Sequence, residues 1–258
     1  MRLTTFVLAG AVLLAPLLSA ETAEARDEAL AKAIAAPHRS PQFVARDKYR
    51  KPQEELEFFG IKPDMTVVEI SPGGGYWTEI LAPYLKEKGT YYTAVSARQV
   101  ESWKQKLGAN PEIYGNVKVT EFSEIAPEGS ADMVLTFRNV HNWMAAGTVD
   151  EMFKAFYKAL KPGGILGVEE HRASDKVPQD PKAANGYVRE DYTIQLAEKA
   201  GFKFIGSSDI LNNPKDTKDW PRGVWTLPPT LALGDQDREK YLAIGEADNF
   251  VLKFQKPQ

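Results

Sequence analysis

Two histidines and several carboxylates stand where they can do chemistry. His141, Asn142 and Trp143 follow a strand-like run from Asp132 to Phe137, while Glu169, Glu170 and His171 close a second run that begins at Gly164. Two parallel strands of one sheet bring both groups to its carboxyl edge, where α/β proteins bind ligands. Imidazole titrates near neutral pH, so His141 or His171 suits the part of a base, and a histidine that is only hydrogen-bonded in a loop is the competing reading for each. Asn142, Trp143 and Glu169 would then contact the substrate. Imidazole and carboxylate at His141, Glu169 and His171 also suit Zn or Fe, but no close-spaced pair such as H-x-x-x-H is present, and no metal centre is expected.

A second group is the stretch Glu69-Ile70-Ser71-Pro72-Gly73-Gly74-Gly75-Tyr76-Trp77-Thr78, a glycine-rich turn between a buried strand and a helix. Glycine lets the backbone approach a ligand without a Cβ in the way, and the helix that follows presents free N–H groups and the positive end of its dipole. A dinucleotide would use the same device, but G-x-G-x-x-G is missing because Thr78 holds the place of the last glycine.

The elements that position these groups alternate along the chain. Strands are expected at Thr66 to Ile70, Thr90 to Val95, Val117 to Glu121, Asp132 to Phe137 and Gly164 to Glu170, separated by helices at Trp77 to Lys86, Gln99 to Leu107 and Val149 to Leu160. Helix-length crossovers require a mostly parallel sheet covered on both faces, an α/β fold. Helices at Asp27 to Ala36 and Ala45 to Phe59 precede the sheet; a helix at Glu190 to Ala200 and strands at Phe202 to Ile210 and Phe250 to Phe254 complete it. Between those last strands lies a long insert, 212–235, with Trp220, Trp225 and several prolines. It is either a stiff aromatic flap over the active edge, which predicts a partly apolar or aromatic acceptor, or a packed Ω-type loop. Tyr187 and Tyr192, near the start of the Glu190 helix, either line the pocket or pack.

The glycine stretch resembles motif I of the class I S-adenosylmethionine-dependent methyltransferases, an acidic residue followed by G-x-G-x-G. Glu69 takes the acidic position, Gly73 and Gly75 the second and third glycines, and Ser71 replaces the first. Ala131 to Trp143 looks like the family's motif IV, and Leu160-Lys161-Pro162-Gly163-Gly164 like its turn before strand 5. The resemblance runs from about Leu56 to Phe254. It implies a Rossmann-like, seven-stranded, mostly parallel sheet with an antiparallel last strand, S-adenosylmethionine as cofactor, and cofactor contacts from Glu69, Ser71, Gly73, Gly75, Tyr76, Ser96, Glu121 and Arg138. The family usually has an acidic residue at the end of strand 2; Ser96 stands there and offers one hydrogen bond rather than a charge-assisted pair. Tyr187 and Trp225 join the substrate contacts.

With 258 residues, 43% hydrophobic and 26% charged, the chain is long enough for one such domain, and a net charge of -3 offers no basic stripe for nucleic acid. The partner expected is a small-molecule or protein methyl acceptor. Cysteine is absent, which removes disulfides and thiol nucleophiles. Arg2 precedes an apolar run from Leu3 to Leu18 that is interrupted by Pro16, with small residues after it. This is the order of a cleaved signal peptide, too short for a span, so the chain is expected in the periplasm with membrane contact only during export. The division expected is a signal peptide at 1–25, a helical extension at 26–60 and a methyltransferase-like domain at 61–258. A non-catalytic binding protein that keeps the fold is the alternative.

Overall fold

The structure is a computed structural model that describes residues 27–258; the expected signal peptide lies outside the described residues. Four short helices open the chain: α1 (Glu28–Ile34), α2 (Pro41–Val44), α3 (Asp47–Arg50) and α4 (Pro52–Phe59). Asp27 caps the first, accepting the Leu30 N–H at 3.0 Å. The single helix expected from Ala45 to Phe59 is broken. Lys51 adopts φ 39° ahead of Pro52, whose ring disfavours a helical residue before it and whose fixed φ starts α4.

The sheet then builds as β1 (Thr66–Ile70), α5 (Thr78–Leu85), β2 (Thr90–Val95), α6 (Val100–Gly108), α7 (Pro111–Tyr114), β3 (Lys118–Glu121), β4 (Ala131–Phe137), α8 (Val140–Ala146), α9 (Val149–Ala159), β5 (Leu160–His171), α10 (Glu190–Lys199), β6 (Lys203–Ser208), α11 (Arg238–Ile244) and β7 (Asn249–Gln255). Its order is β3-β2-β1-β4-β5-β7-β6. β1 pairs in parallel with β2 and β4, and β7 runs antiparallel to β5 and β6, as expected for the last strand. The sequence reading did not foresee α7, α8 or α11, and β5 is longer than expected. α8 lies where a loop was expected; it is two turns long and ends at Gly147 in the left-handed region. β5 starts four residues early and takes in the Pro162-Gly163-Gly164 bend, because Ala131 pairs with Leu160.

Side chains alternate across the strands, so the sheet feeds two cores. Val68, Val134 and Val168 meet Phe153 and Phe156 of α9 on one face, and Val67, Met133 and Leu135 meet Leu56, Phe59, Ile80 and Leu81 on the other. The N-terminal extension is part of this second core: Leu30, Ala33, Leu56 and Phe59 are buried in it. α4 lies so close to β5 that a Cβ at Gly167 would stand 2.8 Å from Phe59. This docking places α3, and with it Arg50, at the carboxyl edge of the sheet.

The long insert is ordered by one buried carboxylate. Asp216 accepts from Tyr187 Oη at 3.0 Å, Trp220 Nε1 at 2.7 Å and the Asp248 N–H at 2.9 Å. Four donors around a buried charge, the Lys218 N–H among them, repay its desolvation and fix the insert to β7.

Candidate active site

At the carboxyl end of β1 the backbone passes through the left-handed region at Ser71 (φ 52°) and Gly73 (φ 58°). Ser71 bears a side chain there, which explains why the related motif prefers glycine. A Cβ on Gly73 would meet nothing within 4 Å, so the loop leaves open space above it. Glu69 is buried at the strand end. Its Oε2 accepts from Thr78 Oγ1 at 2.8 Å and from Tyr91 Oη, and among the described residues its Oε1 has no protein donor. Burial pushes the Glu69 carboxyl up to about 7 against the pull of Tyr91 and Thr78.

Two cavities meet over this loop and share Ser71, Pro72, Gly73 and Asn139. The first, about 270 Å³, reaches from Glu69 and Arg50 to His141, His171 and Trp225. The second, about 400 Å³, lies beyond β2 between Val95, Ser96, Trp103, Phe122 and Trp143. Asn139 stands between them and donates to Ile70 O at 3.2 Å and Phe137 O at 3.1 Å, holding the ends of β1 and β4 together. Trp77 stacks on Phe137 with centroids 4.2 Å apart and makes an apolar wall of the first cavity.

The floor of the first cavity is a buried ion-pair network. Arg50 Nη2 donates to Glu169 Oε2 at 2.8 Å, Asn249 Nδ2 donates to Glu169 Oε1 at 3.0 Å, and Glu246 takes both Arg46 (2.5 Å) and Arg138 (2.9 Å). The guanidinium of Arg50 also lies over the Tyr76 ring at 4.4 Å. Its Nε is buried without a partner. The three arginines hold Glu246 down at about 2 despite its burial. Behind them Glu55 is pushed well above the usual carboxylate range by burial and by the Glu169 charge.

At the far end the two histidines come together from α8 and β5, with ring centroids 5.5 Å apart. His141 Nδ1 lies 3.0 Å from both Glu170 oxygens, and Glu170 also accepts the backbone N–H of His141 and of His171. These partners hold Glu170 below the usual range although burial opposes them. His171 Nδ1 lies 2.7 Å from Asn249 Oδ1. Burial lowers His171 to about 3, so its ring is neutral near neutral pH.

The structure brings Glu69, Ser71, Gly73, Tyr76, Arg138, His141, His171 and Trp225 to the first cavity and Ser96 to the second. Trp225 on the cavity wall favours the flap reading of the insert. Asn142 and Trp143 line the second cavity instead of the acceptor end. Glu169 is spent on Arg50 below the floor, and its neighbour Glu170 reaches the histidines. Tyr187 is buried against Asp216 and packs in the insert's own cluster with Tyr241. Gly75 turns the chain (φ 98°) beside Lys106, and Glu121 is exposed at the end of β3; neither lines these two cavities. Arg46, Arg50, Phe43 and Asn139 also line the first cavity and were not foreseen.

Fold and loop together match those of the class I, S-adenosylmethionine-dependent methyltransferases. Residues 68–166 match the family described as a methyltransferase domain, a match that implies S-adenosylmethionine as cofactor. Among solved structures the chain is similar to a SAM-dependent methyltransferase from Aquifex aeolicus, at 18% identity over 84% of this chain and 94% of that one, TM-score 0.57. It is also similar to an arsenic(III) S-adenosylmethionine methyltransferase from Chlamydomonas reinhardtii, at 14% identity over 91% and 75% of the two chains, TM-score 0.51. A third is the [4+2]-cyclase SpnF, at 17% identity over 86% and 84%, TM-score 0.57. These likenesses concern the fold. No curated protein matches the chain in sequence.

Proposed function

We propose that the protein methylates a lone pair on a small, partly aromatic acceptor held between Trp225 and the two histidines. The observation that carries this is a pair of unpartnered polar atoms, a donor and an acceptor, beside the glycine loop: Arg50 Nε, buried without a partner, and Glu69 Oε1, without a protein donor among the described residues. They match the carboxylate and the ammonium of the cofactor's amino-acid end. Trp103, Phe122 and Trp143 offer aromatic surface to an adenine, and Ser96 at the end of β2 offers a hydroxyl to a ribose.

Bound S-adenosylmethionine supplies an electrophilic methyl group on a sulfonium, and its transfer leaves S-adenosylhomocysteine. The chain supplies orientation and dryness. Gly73 admits the ligand close to the backbone, Phe137 and Trp77 wall the cavity, and Trp225, edge-on to His141 at 6.0 Å, covers the acceptor. A first cavity of about 270 Å³ suits a small acceptor.

Calorimetric titration with S-adenosylmethionine and S-adenosylhomocysteine tests the cofactor, and methyl-labelled cofactor with a panel of small phenols, amines and thiols tests the transfer. No binding at about millimolar ligand, a Kd worth roughly 4 kcal/mol, would sink the reading. Binding with no labelled product from any acceptor would favour the non-catalytic alternative.

A further inference from the structure

We infer that His141 and His171 hold a divalent transition-metal ion at the acceptor end of the first cavity through their Nε2 atoms, with Glu170 and Asn249 orienting the two rings. A ring nitrogen from each histidine and an oxygen of Glu170 lie within 4.8 Å of one another, and all three residues are buried. The Nδ1 atoms are spent on protein acceptors, Glu170 for His141 and Asn249 for His171. Asn249 cannot present its amide nitrogen instead, because Nδ2 already donates to Glu169 at 3.0 Å. The tautomer of each ring that these partners favour therefore carries the proton on Nδ1 and the lone pair on Nε2. Among the described residues neither Nε2 has a hydrogen-bond partner, and both histidines line the cavity.

Metal-binding histidines show this arrangement: the second ring N–H goes to a carboxylate or carbonyl that fixes the tautomer and the ring plane. Glu170 is in turn locked by the backbone N–H groups of His141 and His171, so the support is rigid. A histidine kept only for packing has no need of a free nitrogen facing a cavity. Two imidazoles without thiolate suit Zn, Ni, Cu or ferrous ions. Because both histidines line the cavity, an ion held there would be within reach of water or of an acceptor heteroatom, whose proton it would make easier to lose to solvent.

Ion binding needs neither cofactor nor acceptor, so it is tested apart from methyl transfer. The chain has three histidines and no cysteine, and the third, His38, is engaged with Glu79 O at 2.8 Å. Untagged protein stripped with chelator is titrated with Co(II), followed by its visible absorption, and with Zn(II) by calorimetry. One ion per chain is expected. His141→Ala and His171→Ala should each weaken it at least about tenfold and Glu170→Gln about 10–100-fold, with His38→Ala unchanged. Should the variants fail to fold, X-ray absorption of the Zn-loaded wild type decides, with two imidazoles expected at about 2.0–2.1 Å. Absence of ion binding, binding that survives loss of both histidines, or a zinc site without imidazole overturns the inference. Cofactor titration of the same samples reports on the methyltransferase reading by itself.

Discussion

The Thr78 hydroxyl, in the first turn of α5, donates to Glu69 Oε2 at 2.8 Å, and Tyr91 closes on the same oxygen from β2. One carboxylate oxygen is thus spent on the fold and the other faces the cavity. With its carboxyl at about 7, Glu69 is protonated in roughly half of the molecules near neutral pH. A bound ammonium favours the ionised form, so cofactor affinity should rise from about pH 6 to about pH 8, with proton release at the lower end. Calorimetry at pH 6 in buffers of different ionisation enthalpy reads that proton; identical heats would refute it. Glu69→Gln should weaken binding and remove its pH dependence. The raised folded-state value also means that this group's favourable contribution to stability is lost as pH climbs from 4.5 to about 7.

Ser71 and Gly73 should respond to substitution in opposite ways. Ser71→Gly relieves a left-handed penalty of about 1–2 kcal/mol against about 0.4–1 kcal/mol of added unfolded-state entropy, so the melting temperature should hold or rise slightly. Gly73→Ala places a Cβ at φ 58° in open cavity. It should lower stability by about 1 kcal/mol and cofactor affinity by about tenfold or more. A large thermal loss in Ser71→Gly, or full cofactor affinity in Gly73→Ala, would contradict this geometry.

Glu246 holds two arginines, and its folded value of about 2 lies below the ordinary 4.5. Its contribution to stability is therefore complete above pH 4.5 and disappears as pH falls toward 2. Glu246→Gln should cost about 3 kcal/mol near neutrality, leaving Arg46 and Arg138 short of charge. Denaturant melts of the variant and the wild type should converge in acid; a pH-independent difference would assign the loss to packing.

Trp225 lines the first cavity and is 37% exposed. Trp225→Ala should leave stability within about 0.5 kcal/mol, raise the acceptor KM and leave the cofactor Kd alone. Equal weakening of both ligands would mean that the insert orders the whole site.

Export rests on the apolar run Leu3 to Leu18. Alkaline phosphatase fused after Ala25 should be active in cells, and an inactive fusion would refute a periplasmic destination.

Strand positions and the glycine turn were legible because buried strands write apolar runs and a strand-to-helix turn writes glycine. The charged floor was not. Arg50 and Glu169 are 119 residues apart and Arg46 and Glu246 are 200 apart, so no local pattern joins them. The choice between Glu169 and Glu170 was open for a similar reason. Both are fully buried at the end of β5, and only Arg50 on one and the histidines on the other separate their roles. Pro52, by contrast, was a readable break within the helix expected from Ala45 to Phe59.

The contact between Arg46 and Glu246 joins nearly the first described helix to nearly the last. A chain emerging from its N-terminus presents Arg46 and Arg50 long before Glu169 and Glu246 exist to receive them. The pocket is accordingly completed only once the segment carrying Glu246 has been made, and removing either that segment or the one carrying Arg46 should dismantle the same wall.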